Sequence, residues 1–405
     1  MQKKKCLVPK LRFLEFEEDW KKIQVGKLGE IVTGLTYSPE DINEDGVLVL
    51  RSSNVQEDRL EFEDNVYVKT NSFNKVLEND ILLVVRNGSK RLIGKCALIT
   101  KDCEGLAFGA FMSVFRSDIN RFLIQWFWGD DFRREVYKNL GATINSINGS
   151  NLKKFKLFIP HLKEEQQKIA NFLTSIDNQT QTLKKKKNLL EKYKKGVLQE
   201  IFKQRLKFKD DDGVDYPDWE KRKFADVLIE HKLKSTGKEE VHSVSVHKGV
   251  INQIEHLGRS FSAKDTSHYS RALPNDIIYT KSPTGDFPLG IIKQNHIRKD
   301  VIISPLYGVF TPETKELGYI LHVYFESPIN TSNYLSSIIQ KGAKNTINIT
   351  NTTFLSKKML LPVSKEEQTK IANFLSAIDK NIVLVNNKIE LTKAYKKGLL
   401  QKMFV

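Results

Sequence analysis

KEEQQKIANFLTSID occupies Lys163–Asp177, and KEEQTKIANFLSAID occupies Lys365–Asp379. The offset is 202 residues in a chain of 405. Extended without gaps, Pro160–Phe202 and Pro362–Phe404 are identical at 22 of 43 positions, where composition alone gives roughly three. A duplication this strong sets the architecture before any local pattern does.

Both copies read as long helices. Ile169, Leu173, Ile176, Thr180, Leu183, Lys187, Leu190, Lys194, Val197 and Ile201 advance in alternating steps of four and three. The same phase in the second copy gives Ile371, Leu375, Ile378, Ile382, Val385, Ile389, Thr392, Lys396, Leu399 and Met403. This is a heptad seam. Polar Thr180 and Lys187 correspond to Ile382 and Ile389, and Leu190 to Thr392, so each seam is broken where the other is apolar. Pairing of the two helices with each other is the expectation.

The helix starts are marked as well. Pro160 and Pro362 close the apolar strands FKLFIP and KMLLP. Ser364 with Glu367 spells a capping box, whereas Leu162 stands at the corresponding place in the first copy. Glu164, Glu165, Glu366 and Glu367 suit the positive helix start. Gly196 and Gly398, near the far ends, either loosen the last turn or admit another backbone. Forty residues of helix make a rod about 60 Å long. Such a rod inside a two-part chain is a spacer; a dimerisation coiled coil is the alternative.

A globular segment precedes each helix. The expected division is 1–158, a first recognition domain; 159–204, a central helical spacer; 205–360, a second recognition domain; and 361–405, a C-terminal helical spacer. EDWKKIQVGKLGE faces PDWEKRKFADVLIE, GATINSING faces GAKNTINIT, and Asp80 and Gly94 align with Asp276 and Gly290. Short Val/Ile/Tyr-rich strands (GVLVLRSS, NDILLVV, CALIT) are broken by Gly, Asn, Pro and Asp. One helix is expected over NRFLIQWFWGDDFRREVYKNL and another over LGYILHVYFESPINTSNYLSSIIQ. The fold class is α/β: two mixed α/β domains separated by two long antiparallel coiled-coil helices in a pseudo-twofold repeat. That symmetry places the chain termini close together, so circular permutation should be tolerated.

The 65 Lys+Arg against 49 Asp+Glu give a net charge of +16, which points to a polyanionic partner. Three cysteines, Cys6, Cys96 and Cys103, without CxxC spacing argue for a reducing compartment and against a zinc module. MQKKKCLVPKLRF lacks the apolar stretch of a signal peptide, and no membrane-spanning run occurs. A cytoplasmic protein without a membrane partner is expected.

Basic residues mix with amides and hydroxyls in glycine-punctuated turns. The first half offers Arg51, Ser52, Ser53 and Asn54; Arg86, Asn87, Ser89, Lys90 and Arg91; and Thr143, Asn145, Ser146 and Asn148. The second half offers His247 and Lys248; Lys281, Ser282 and Thr284; and Lys344, Asn345 and Asn348. These residue types suit double-stranded DNA. Arg and Lys pair with guanine, Asn pairs with adenine, and hydroxyls and backbone amides hold phosphates. Ordinary turns use the same residues, so the recurrence at equivalent points in both halves carries the expectation. Lys184–Lys209 holds eleven Lys/Arg and two acids, either a solvated helix end or a phosphate contact.

Catalytic signatures are missing. There is no P-loop, no Asn-Pro-Pro-aromatic methyltransferase motif and no HExxH. PDWEKRK is too compressed for a nuclease motif, and His242, His247, His256 and His268 are scattered without a metal-site pattern. A non-catalytic binding subunit without its own cofactor or metal is expected. A stand-alone sequence-specific DNA-binding regulator is the alternative.

The two helix starts, FIPHLKEEQQKIANFLTSIDNQ and LLPVSKEEQTKIANFLSAID, each followed by YKKG(V/L)LQ, together with VLVLRSSNVQ, NDILLVV and GATIN, resemble the specificity subunit of type I restriction–modification systems. The resemblance covers essentially the whole chain. It implies two target-recognition domains, each reading half of a bipartite asymmetric DNA site. It implies antiparallel helices that dock two copies of an adenine-N6 methyltransferase subunit, with Glu165, Gln166, Ile169 and Phe172, and Glu367, Gln368, Ile371 and Phe374, as docking residues. S-adenosylmethionine, ATP and Mg would then reside on the methyltransferase and translocase–nuclease restriction subunits. Half-sites on one face of B-DNA lie about 34 Å apart, so four residues inserted within 178–192 should change the DNA spacer.

Overall fold

The structure is a computed structural model. It describes residues 8–140, 145–260, 262–341 and 347–404. The chain divides into two compact units, Met1–Lys186 with Val385–Val405, and Lys187–Leu384. Each unit contains one mixed α/β body and parts of both long helices, so the spacers are shared between units rather than standing apart as 159–204 and 361–405.

In the first unit a four-stranded antiparallel sheet runs in the order Glu30–Thr33, Met112–Arg116, Ile81–Val84, Cys96–Leu98. Ile81 and Leu83 pack into one apolar cluster, Leu82 and Val84 into another. A strand buried on both faces reads as a continuous apolar run rather than an alternating one. The second unit repeats the order with Leu228–Glu230, Gly308–Pro312, Ile277–Tyr279 and Ile292–Gln294. Ile277 and Tyr279 again face one cluster and Ile278 another.

The turns match in detail. Asn79 and Asn275 have φ of 64° and 70°, and Gly94 and Gly290 have φ of 83° and 98°. Asn and Gly tolerate this left-handed region best. The buried Asp80 carboxylate accepts from the Leu77 amide, and Asp276 accepts from that of Leu273. Their side-chain partners differ: Arg116 lies 2.7 Å from Asp80, and the His231 ring lies 2.7 Å from Asp276. Between these landmarks the halves diverge. Residues Ile42–Leu50 pair with Tyr67–Val68 and Ala107–Phe108 in the first unit. The second unit instead carries the hairpin His242–Ser245/Gly249–Asn252.

The single helix expected over 120–140 is two, Asn120–Phe127 and Asp130–Lys138. Gly129 is extended at the break, and Asp130 and Asp131 open the new helix, where acids suit the N-terminus. Its counterpart also splits, into Lys315–Tyr324 and Pro328–Ser336. Ser327 caps the second piece and Pro328 occupies its first turn, the place in a helix that tolerates proline.

The long helices run Lys163–Phe202 and Lys365–Met403. Every seam position named above is buried or half-buried. Only half of the expected capping box forms. The Glu367 amide donates to Ser364 Oγ at 3.2 Å, but the Glu367 carboxylate turns inward to Trp219. Gly196 and Gly398 have open space where a side chain would begin, so among the described residues no other backbone approaches them.

Within the first unit, the Leu11 amide donates to the Lys402 carbonyl at 2.9 Å. The equivalent bond in the second unit, Leu206 to Glu200 at 3.1 Å, belongs to the covalent linker after the first helix. The start of the chain therefore meets its end as the linker meets the helix it follows. Cys96 and Cys103 are buried and free, and Cys6 lies outside the described residues.

Candidate nucleic-acid interface

Three of the basic, amide-rich turns converge in the first unit. The Asn87 amide nitrogen Nδ2 donates to Ser52 Oγ at 2.9 Å, and its Oδ1 accepts from the Ser89 backbone at 3.0 Å. Asn145 Nδ2 donates to the Gly88 carbonyl at 2.8 Å, and the Asn87 backbone amide donates to the Asn145 carbonyl. Turns 51–54, 86–91 and 145–146 thus form one patch on the end of the sheet. Arg86, Ser89, Lys90 and Arg91 face solvent on it.

Some expected contact residues serve the patch from within. Asn54 is fully buried: its Oδ1 accepts from the Arg51 backbone at 2.9 Å and its Nδ2 donates to the Glu61 carbonyl at 3.0 Å. It shapes the loop and is not exposed for base reading, because a buried amide is stable only with its polar atoms bonded. Arg51 is held by Asp64 at 2.9 Å. Thr143 lies outside the described residues.

Phe111 was not anticipated. It is 56% exposed, and its ring lies 5.6 Å from the Arg86 guanidinium. In the sequence it reads as one more apolar residue in AFGAFM; only the tertiary placement beside Arg86 distinguishes it.

In the second unit, Lys281, Ser282 and Thr284 occupy the turn that corresponds to 85–88. Lys281 has φ of 60°, and burial lowers its pKa while nearby Glu230 opposes that. Glu230 also accepts from Asn351 Nδ2 at 2.8 Å. His247 and Lys248 are exposed on the hairpin turn after His242–Ser245. Lys344 and Asn345, which correspond to the Asn145 region, lie outside the described residues; the backbone of Asn348 pairs with that of Gln340.

The helix residues expected to dock a partner are placed differently from that expectation. Glu165 is buried and receives Arg12 through two bonds of 2.7 and 2.8 Å and the Trp20 indole at 3.2 Å. Gln166 Nε2 donates to the Pro160 carbonyl at 2.9 Å. Glu367 likewise receives the Trp219 indole at 3.1 Å, and Gln368 donates to the Pro362 carbonyl at 3.0 Å. Ile169 and Ile371 are core residues. These six residues fasten each helix start to its own α/β body and present no docking surface. A carboxylate and an amide taken from water need the partners they have found. Phe172 and Phe374 are half-buried, edge-on to Phe13 and Phe208 at 5.8 and 5.7 Å.

Much of the basic run is also internally paired. Lys184 meets Glu57, Arg205 meets Glu200, and Lys194 lies between Glu326 at 2.7 Å and Asp379 at 2.6 Å. Among the described residues no group of three or more His, Cys, Asp or Glu side chains could hold a metal, and no helix is long and apolar enough to cross a membrane.

Residues 17–192 match the family model "Type I restriction modification DNA specificity domain". The chain is 27% identical over 195 residues to the StySPI specificity subunit of Salmonella potsdam, covering 45% of this chain but only 42% of that one. A putative specificity subunit, MjaX of Methanocaldococcus jannaschii, aligns over 95% of this chain and 93% of its own length at 25% identity. In fold, the chain is similar to the type I restriction–modification S subunit of M. genitalium, with a TM-score of 0.61 over 98% of this chain and 99% of that one at 15% identity. The duplicated sheets, the matched domain and the relatives agree with the resemblance carried by the two helix starts, and the chain is similar to the type I restriction–modification specificity subunits.

Proposed function

We propose that each α/β body reads one half of a bipartite, asymmetric site on double-stranded DNA. The two long helices, antiparallel and related by a pseudo-twofold axis as a coiled coil, hold the readers at a fixed separation. The same helices recruit two adenine-N6 methyltransferase subunits, and translocase–nuclease restriction subunits join the complex in the cytoplasm. The chain itself is non-catalytic. S-adenosylmethionine, ATP and Mg act on the partners.

One observation carries this reading: the same four-stranded scaffold occurs twice, while the loops on it differ. Loops carry recognition and the framework carries packing, so a duplicated framework with divergent loops suits two different half-sites. The solvent-facing Arg86, Lys90 and Arg91 beside Phe111 offer phosphate and guanine contacts in the first unit. Lys281, Ser282 and Thr284, with His247 and Lys248, are the candidates in the second. The pairs Asp177–Lys396 and Lys194–Asp379 support the antiparallel arrangement, since each joins an early residue of one helix to a late residue of the other.

The test replaces residues 1–158 with the corresponding segment of another specificity subunit. The chimaera is co-expressed with the methyltransferase, and genomic N6-methyladenine is mapped. One half of the methylated motif should change and the other should stay. A change in both halves, or in neither, overturns the proposal.

A further inference from the structure

Two β-turns occupy the same place on the duplicated sheets. Gly109–Met112 is closed by the Met112 amide, which donates to the Gly109 carbonyl at 2.8 Å. Ser304–Tyr307 is closed by the Tyr307 amide, which donates to the Ser304 carbonyl at 3.2 Å. Each turn leads into the second strand of its sheet, Met112–Arg116 or Gly308–Pro312. The register fixes the equivalence: Phe115 pairs with Ile81, and Phe310 with Ile277. Four residues before these phenylalanines stand Phe111 and Leu306, each the third residue of its turn.

Phe111 is 56% exposed and Leu306 72%. Ordinary turns favour Gly, Asn, Asp or Ser. Exposed apolar residues scattered singly need no explanation, but these two share one position on scaffolds whose loops otherwise differ. Neither is loosely held. The Phe111 carbonyl accepts from the Val85 and Arg86 amides at 3.0 and 3.1 Å, which ties its turn to the basic turn 86–91. The Leu306 amide donates to Ser304 Oγ at 3.3 Å. Continuing the Gly308–Tyr279 pairing by two residues brings Leu306 level with Lys281. In both units a large apolar side chain thus stands out from a braced turn next to a basic one.

Phosphates and most base-edge groups bind cations, amides and hydroxyls. An apolar side chain among such residues has another target. A thymine methyl group is one, but it would tie both half-sites to the same base. Readers with different loops read different bases. A feature they hold in common suits what every sequence offers, the stacked faces between base pairs. Phe and Leu are among the side chains that proteins insert between base steps, unstacking and kinking the duplex. We propose that Phe111 and Leu306 are equivalent wedges, each entering one base step of its own half-site on double-stranded DNA and partly unstacking it. Arg86 and Lys281 hold the phosphates beside the opened step. The assignment deepens the proposed function and rests on it for the DNA.

The test first maps the methylated motif. The full chain with its methyltransferase is then bound to duplexes carrying that motif, with 2-aminopurine at successive positions other than the methylated adenines. This base brightens when it is unstacked. The wild-type complex should brighten one step in each half-site. Phe111→Ala should abolish the signal in one half-site and Leu306→Ala in the other. Each should weaken motif binding about tenfold, the order of cost of a mismatched base pair, with unchanged melting of the free chain. Phe111→Leu should keep the signal, since leucine stands at the equivalent place in the second unit. If the alanine variants keep both signals and full affinity, the wedge assignment fails, while motif-specific binding leaves the functional reading standing. If the wild-type complex binds the motif no better than unrelated DNA, both fall. If the alanine variants lose the methyltransferase and not the DNA signal, these side chains face protein and the assignment is overturned.

Discussion

The Lys396 ammonium lies 2.7 Å from the Asp177 carboxylate, and their equivalents in the other copies of the repeat, Lys194 at 202 positions earlier and Asp379 at 202 positions later, lie 2.6 Å apart. The same two residues thus pair twice with their helices exchanged. Their surroundings differ. Lys194 also meets Glu326 at 2.7 Å, whereas Lys396 lies 4.4 Å from the centre of the Trp128 ring. Burial works against the charge of both lysines. At Lys194 the two carboxylates outweigh it and raise the pKa; at Lys396 burial outweighs Asp177 and lowers it. Lys194→Met leaves the partly exposed Glu326 and Asp379 carboxylates facing one another without their shared cation and should cost on the order of 2–3 kcal/mol. Lys396→Met leaves one acid, which keeps a long bond to Gln125, and should cost about 1–2 kcal/mol. Urea denaturation of the two variants should show that order.

A second pair of equivalents separates in the opposite direction. Glu165 is bridged by Arg12, while among the described residues no cation bridges Glu367; one of its oxygens has no hydrogen bond, and burial raises its pKa against the Trp219 hydrogen bond and the charge of Lys207. Glu165→Gln breaks a charge-assisted pair of hydrogen bonds to Arg12 and should cost about 2 kcal/mol. Glu367→Gln keeps an acceptor for Trp219 and removes a poorly compensated charge, so stability should hold or rise. Thermal melts of the two variants check this.

The second unit should weaken in acid. Burial, then His322, lowers the His296 pKa to about 4, and burial also lowers that of His322. His322 Nδ1 accepts from the Gln294 amide at 3.2 Å, which leaves the ring proton on the nitrogen facing Glu326. The unfolded chain protonates these rings near pH 6.5 or so. Below that value the unfolded state binds more protons than the folded one, so stability falls as pH falls. Glu326 adds to the loss at lower pH. Burial opposes its charge, but His322 and Lys194 hold its pKa well below the usual range. Amide protection factors in Lys315–Tyr324, corrected for the intrinsic exchange rate at each pH, should fall between pH 7 and 4, and His296→Gln should flatten the first part of that change.

Joining Val405 to Met1 should be harmless. Leu11 already bonds to Lys402 as Leu206 bonds to Glu200, and the joined ends would supply more chain than the six-residue step from Glu200 to Leu206. A permutant opened at Asp211–Asp212, on an exposed turn, should melt within a few degrees of the parent.

The sequence alone determined that the chain is duplicated, that each copy ends in a long helix with its seam at 169 through 201 and 371 through 403, and that each body is mixed α/β. Those features rest on periodicity and identity, which are local and additive along the chain. It also located the turns that gather at Ser52, Asn87 and Asn145. Tertiary structure alone decided that Asn54 shapes its loop, that Glu165 and Glu367 are internal latches, that Gly129 divides a helix, and that Phe111 stands beside Arg86. Each of these depends on which polar group meets which partner once water is removed. A carboxylate or an amide looks the same in a sequence whether it faces solvent, DNA or an indole from 145 residues away.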